Sequence, residues 1–177
     1  MATMILLPDG ENSVSSDWIT VGIGISDPSV ALQTDDGANS YVKCNDASES
    51  MIIEYANPSV AEADISSIDS VRFLSSGKAI HRTEPSLVRI GYQVPSGNAL
   101  EQVSYDAHRT NFETINGTAR PYSDGSSAAW TYANLEALEL LVLKILTIEV
   151  YLSYLALEVT YTPAVAADNA TFFGANF

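Results

Sequence analysis

The sequence predicts an all-β fold, an antiparallel β-sandwich with one short helix and extended terminal arms. Near the C-terminus, Leu155, Leu157, Val159 and Tyr161 fall on one face of an extended segment and Ala156, Glu158, Thr160 and Thr162 on the other, the period-two pattern of a half-buried strand. Upstream, short apolar runs recur between clusters of turn residues, with no alternation of strands and helices of the kind that builds parallel sheets. Helix signals gather in one place only, after Trp130.

Taken in order, residues 18–25 read as a strand closed by Ser26-Asp27-Pro28, a turn cluster. Residues 41–44 follow an acidic loop as a short strand, and residues 50–55 form a clear apolar run. Residues 61–66 suit either a helical turn or a loop. Residues 68–74 read as a strand with Val71 and Phe73 inward, and residues 87–94 as another with Val88, Ile90, Tyr92 and Val94 toward the core and Arg89 and Gln93 outward. Residues 112–115 lead into Asn116-Gly117, a strong turn signal. A short helix is placed at 134–138, with Thr131 and Asn134 as candidate N-caps. Periodicity leaves 138–148 open between helix and strand, and it is read as a strand. The final strand ends at Pro163, which has no N–H for a ladder. The count is seven to nine strands.

At 177 residues a chain of this kind forms one domain with one core. The sandwich is assigned to residues 18–163, with residues 1–17 an N-terminal arm and 164–177 a C-terminal arm. The C-terminal arm carries Phe172, Phe173 and Phe177 among small residues. Phenylalanines outside a core need cover, so these three are expected at an interface, on the chain's own surface or on a neighbour.

Eight Lys and Arg against 22 Asp and Glu give a formal net charge of −14. That balance repels nucleic-acid phosphates and anionic membrane faces, so neither is expected as a partner. The longest apolar stretch, 138–159, is interrupted by Glu139, Lys144, Glu149 and Glu158, charges too costly for a bilayer span. No positive residue precedes the brief apolar run at the N-terminus, which argues against a secretory signal. The lone Cys44 has no partner for an internal disulfide and reads as a buried apolar residue.

Residue patterns for chemistry are sparse. His81 and His108 stand far apart outside any metal-spaced motif. Ser126 lies in Asp-Gly-Ser-Ser, without the nucleophile-elbow glycines. Gly22 and Gly24 lack the third glycine of a dinucleotide fingerprint. The carboxylates are numerous, but no spacing selects an acid–base pair. No catalytic residue or cofactor is therefore assigned. The one candidate metal site is a calcium ion at Asp35, Asp36 and Asn39, joined by Asp46, because a glycine-bearing acidic turn can gather oxygen ligands; a solvated acidic turn is the competing reading. Trp18, Trp130, Tyr122 and Tyr132 are candidates to line a sugar-binding surface, against core packing as the alternative. Asn116-Gly-Thr and Asn169-Ala-Thr match the glycosylation acceptor pattern and are read as chance matches.

Several segments together resemble the virion accessory proteins of tailed phages and prophages. They are Asp35-Asp-Gly-x-x-Ser-Tyr-Val, Ser70-Val-Arg, Val88-Arg-Ile-Gly-Tyr, Trp130-Thr-Tyr-x-x-Leu-x-x-Leu-Glu-Leu and Tyr154-Leu-x-Leu-Glu-Val-Thr-Tyr. The resemblance spans residues 18–161 and implies a jelly-roll-like sandwich without enzymatic activity. It implies a capsid decoration or cement protein, located in the virion after assembly in the host cytoplasm. Such a protein binds the major capsid protein or neighbouring virion subunits, as a trimer or other homo-oligomer. The alternative is a carbohydrate-binding tail or fibre module that contacts the host surface.

Overall fold

The structure is a computed structural model that describes residues 1–36, 39–45, 48–80, 86–94, 97–105, 111–123, 127–145 and 149–165, with only the backbone described for 86–87 and 97–105. Its strands are β1 (Ala2–Leu6), β2 (Pro8–Val14), β3 (Trp18–Gly22), β4 (Ser40–Cys44), β5 (Ser50–Tyr55), β6 (Ile65–Ile80), β7 (Ser86–Val94), β8 (Gly97–Tyr105), β9 (Glu113–Asn116), β10 (Glu139–Lys144) and β11 (Glu149–Pro163). Two short helices, α1 (Pro28–Ala31) and α2 (Tyr132–Glu136), and a 3₁₀ turn at Glu62–Asp64 complete the described elements.

One sheet, here sheet A, has the order β3-β4-β11-β6-β9, and the other, sheet B, has the order β2-β5-β10-β7-β8. All the pairings are antiparallel. From β4 onward the chain shuttles between the sheets, and the last two strands insert at the centres: β10 between β5 and β7, β11 between β4 and β6. That is the jelly-roll arrangement. The inward faces of both sheets supply the core, with Val88, Ile90, Tyr92, Leu140, Val142, Leu155, Leu157 and Val159 buried. The alternation read for residues 87–94 and for the end of β11 is therefore correct, although Ala156 on the opposite face of β11 is buried as well.

The first seventeen residues correct the expectation of an arm. Residues 2–6 pair with β11, from Ala2 with Tyr161 to Leu6 with Leu157, and residues 8–14 pair with β5. Met4 and Leu6 enter the core while Ile5 and Leu7 stay partly exposed. Apolar residues on both faces hid the alternation in so short a segment. At Leu7 the chain leaves sheet A for sheet B, and Pro8 opens β2, a position where its missing N–H costs no ladder bond.

β11 is longer than any one partner on its β4 edge. Val150–Leu152 pair with β4 and Leu157–Tyr161 with β1, which leaves a gap in the ladder around Leu155. Two outside groups fill it: the Leu155 N–H donates to Leu32 O at 3.0 Å, and the Leu155 carbonyl accepts from Tyr55 Oη at 3.1 Å. Tyr55 lies on β5, so this bond crosses from sheet B to sheet A. A second crossing runs from the Phe73 N–H on β6 to Tyr92 Oη on β7 at 2.8 Å. Both satisfy backbone groups that would otherwise be buried without partners.

Leu32 is held in place by α1, which the sequence reading took for part of a turn. Asp27 is its N-cap, accepting from the Ser29 N–H at 2.7 Å and from Ser29 Oγ at 2.6 Å, with Pro28 at the first helical position. The Ser29 bonds hold the Asp27 carboxyl below its ordinary value of 3.8, opposed by partial burial. Asp27→Ala should lower stability by about 1 kcal/mol at neutral pH. Because the folded-state pKa is depressed, that contribution is full above the ordinary value and is lost as the pH falls through the folded-state value. Denaturant titrations of the two proteins should therefore converge in acid; a constant gap down to that range would refute the cap's role.

α2 meets its expectation in kind and shifts slightly in position. Thr131 caps it by accepting from the Asn134 N–H at 3.1 Å, while Asn134 Oδ1 accepts from the Thr131 N–H at 3.0 Å, a reciprocal capping box. Residues 139–144, left open between helix and strand, are strand β10.

Candidate functional site

The acidic loop after α1 uses its side chains internally. Asp36 accepts from the Ser40 N–H at 3.0 Å and from Ser40 Oγ at 2.9 Å, opening β4, and Asn39 Nδ2 donates to the Asp36 carbonyl at 3.2 Å. Asp35 faces Ser153 Oγ at 3.5 Å. Both Asp36 oxygens are thus engaged by Ser40 donors instead of being gathered toward an ion. Asp46 lies outside the described residues, as do His81, His108, Ser126, Asn169, Phe172, Phe173 and Phe177. Among the described residues, no group of three or more His, Cys, Asp or Glu is placed to hold a metal. Among the described residues, no helix is long and apolar enough to cross a membrane.

The four aromatic candidates separate. Trp18 is buried on β3, and its indole N–H has no hydrogen-bond partner among the described residues. Tyr122 is exposed in an irregular segment bridged to Ala129. Trp130 and Tyr132 come together at one end of the sandwich, where α2 begins and β6 starts. With the 3₁₀ turn they enclose a pocket of about 210 Å³. Its walls are Ile65, Ile68, Trp130 and Tyr132, and its polar groups come from Glu62, Ser66, Ser67 and Thr131.

Each aromatic wall is fixed by a hydrogen bond away from the cavity's polar side. Trp130 Nε1 donates to the Arg120 carbonyl at 2.8 Å, and Tyr132 Oη to the Val60 carbonyl at 3.1 Å. Trp130 also packs edge-on against the buried Tyr92 ring, with centroids 6.3 Å apart. Ser67 Oγ is committed to Asp69 at 2.8 Å, and the Thr131 hydroxyl to the cap of α2. Glu62 and Ser66 are exposed at the rim. The result is a small, open pocket lined by apolar side chains held by hydrogen bonds and by several oxygen-bearing side chains, the composition of a small-ligand site. Its volume is below the roughly 300–1,000 Å³ that encloses a drug-sized molecule.

A second aromatic cluster, on the outer face of sheet A, had no signal in the sequence. Tyr41 on β4 meets Tyr151 on β11 edge-on at 5.3 Å and Phe112, just before β9, at 6.1 Å. Lys78 on β6 sets its ammonium 4.7 Å from the Phe112 ring centroid and 5.0 Å from that of Tyr151. Lys43 pairs with Glu149 at 3.4 Å beside them. Burial pushes the Tyr151 phenol well above its usual range, and the hydrogen bond and charge of Glu149 add to the shift. Here the ring faces are already occupied by Lys78, which makes the cluster a clasp joining four chain segments before it is a receptor. A further concavity of about 340 Å³ lies over Glu54, Tyr55, Glu136 and Glu139. Glu54 and Glu139 are direct neighbours across β5 and β10, and Glu139 accepts from Asn12 Nδ2 at 2.8 Å.

No family model and no curated protein matches the sequence. Among solved structures, TmCBM61, a carbohydrate-binding module in complex with β-1,4-galactotriose, is similar with a TM-score of 0.35 and 8% sequence identity. The alignment covers 89% of this chain and 83% of that one.

Proposed function

We propose that the chain is a non-enzymatic recognition module that binds carbohydrate, with the Trp130–Tyr132 pocket as its site. The observation that carries this reading is the open pocket itself, lined by Tyr132, the mostly buried Trp130 and two isoleucines together with Glu62, Ser66, Ser67 and Thr131. Pyranose rings offer the complementary pattern, one face of C–H groups and an edge of hydroxyls. Tyr132 is the wall to remove, because Trp130 also supports the core. In a glycan screen followed by titration of the best ligand, Tyr132→Ala should weaken binding at least about tenfold, as expected when an aromatic anchor is lost. Tyr151→Ala, on the outer face of sheet A, should leave binding unchanged. A loss with Tyr151→Ala instead would move the site to that face and refute the assignment.

A second reading, a capsid decoration or cement protein, is favoured by different residues. Ile19 on β3 and Ile80 at the end of β6 are about half exposed, and Ile23 beyond β3 is fully exposed. These isoleucines offer apolar contacts of the kind a neighbouring virion subunit would cover. On this reading the protein forms a trimer or other homo-oligomer and binds the major capsid protein or neighbouring virion subunits. Light scattering of Ile19→Ser beside the parent protein tests it. Loss of an oligomer would support the reading, and a monomer in both cases would remove the oligomeric part of it.

A further inference from the structure

We propose that the Trp130–Tyr132 pocket selects uncharged pyranoses and rejects uronic and other acidic sugars, an inference that rests on the carbohydrate reading above. The pocket's polar lining is of one kind: its groups are a carboxylate and hydroxyls, and no Lys, Arg or His is among the described residues that line it. Glu62 sits at the rim in the 3₁₀ turn, and Asp64 belongs to the same turn. On β6, Asp69 accepts from Ser67 and from Thr162 Oγ1. Two described cations, Arg72 and Arg120, lie outside the lining. Arg72 pairs with Glu158 at 2.8 Å, and Arg120, whose backbone carbonyl anchors Trp130, has its guanidinium carbon 5.7 Å from the Tyr92 ring centroid.

A sugar hydroxyl seated against this rim donates to the Glu62 carboxylate, a charge-assisted bond of the stronger kind. A sugar carboxylate in the same place meets a like charge with no cation in the lining to offset it. Even with the screening of water, two unit charges about 4 Å apart repel enough to weaken binding about fivefold. The formal net charge of −14 acts in the same direction at longer range.

The test pairs the methyl glycosides of glucose, galactose and mannose with the methyl glycosides of their uronic acids, each titrated into the full chain and followed by amide shifts. For whichever pair binds, the neutral sugar should be at least about fivefold tighter. In Glu62→Gln, an exposed and isosteric change, that ratio should fall toward one, and added salt should narrow it in the parent protein. Equal affinities, tighter binding of the uronate, or a ratio unmoved by Glu62→Gln would each overturn the selectivity while leaving carbohydrate binding in place. Failure of all three neutral sugars to bind would overturn the carbohydrate reading and the selectivity with it.

Discussion

Tyr92→Ala should lower the unfolding free energy by about 4 kcal/mol, in the range of aromatic-to-alanine changes in packed cores. The ring is wholly buried on β7, with Phe73 at 6.2 Å and Trp130 at 6.3 Å between centroids. Its removal leaves a cavity shared by both sheets and by the wall of the pocket. It also removes the acceptor of the Phe73 N–H, a loss of about 1–3 kcal/mol for a buried donor left unpaired. Tyr92→Phe separates the two effects, because it keeps the ring and loses only the oxygen. Urea unfolding should show the phenylalanine variant destabilised by about 1–3 kcal/mol and the alanine variant by more. Domains of this size have only about 5–15 kcal/mol in total, so the alanine variant should be close to unfolding at physiological temperature. A phenylalanine variant as stable as the parent would show that the cross-sheet hydrogen bond contributes nothing.

Gly117→Ala is the second large effect, and its cause is crowding. Gly117 donates its N–H to the Phe73 carbonyl at 2.8 Å as the chain leaves β9. A methyl group there would lie 2.5 Å from Phe73 Cε1 and 2.6 Å from Cδ1, against a fully buried ring. Something must move, at a cost of about 1–3 kcal/mol as in other overpacked cores. A smaller residue at position 73 should relieve the clash. Combined with Phe73→Leu, Gly117→Ala should cost less than it does alone, with a coupling energy of about 1–2 kcal/mol for residues in direct contact. Simple additivity of the two changes would refute the steric account.

Sequence pattern revealed the elements whose two faces differ. The segments that became β7 and the end of β11 alternate cleanly, so burial could be read from them directly. Elements carrying apolar residues on both faces, such as β1, or turn-type residues throughout, such as Pro8-Asp-Gly-Glu-Asn-Ser in β2, gave no such contrast. The strand read from the sequence stops at Leu74, yet β6 continues through Ser75-Ser-Gly-Lys because β11 and β9 pair with it on both sides. Ser75 and Ser76 are buried, which shows tertiary position overriding local preference. The pocket was half legible. Trp130 and Tyr132 were flagged for their ring chemistry, but Glu62 and Ser66 join them only because β6 starts beside α2. The Tyr41, Lys78, Phe112 and Tyr151 cluster was invisible, because four distant segments meet there through strand register alone.

Sheet A is organised around β11, the last of its strands in chain order. β1, β4 and β6 each hydrogen-bond to β11, so none of them has its central partner until β11 has been synthesised. At roughly 5–20 residues per second, the growing polypeptide carries open, sticky edges for several seconds, and its longest-range pairings form late, which slows folding. Nascent chains stalled before Glu149 should thus be held by chaperones or precipitate, whereas chains in which β11 has emerged should close in a single cooperative step.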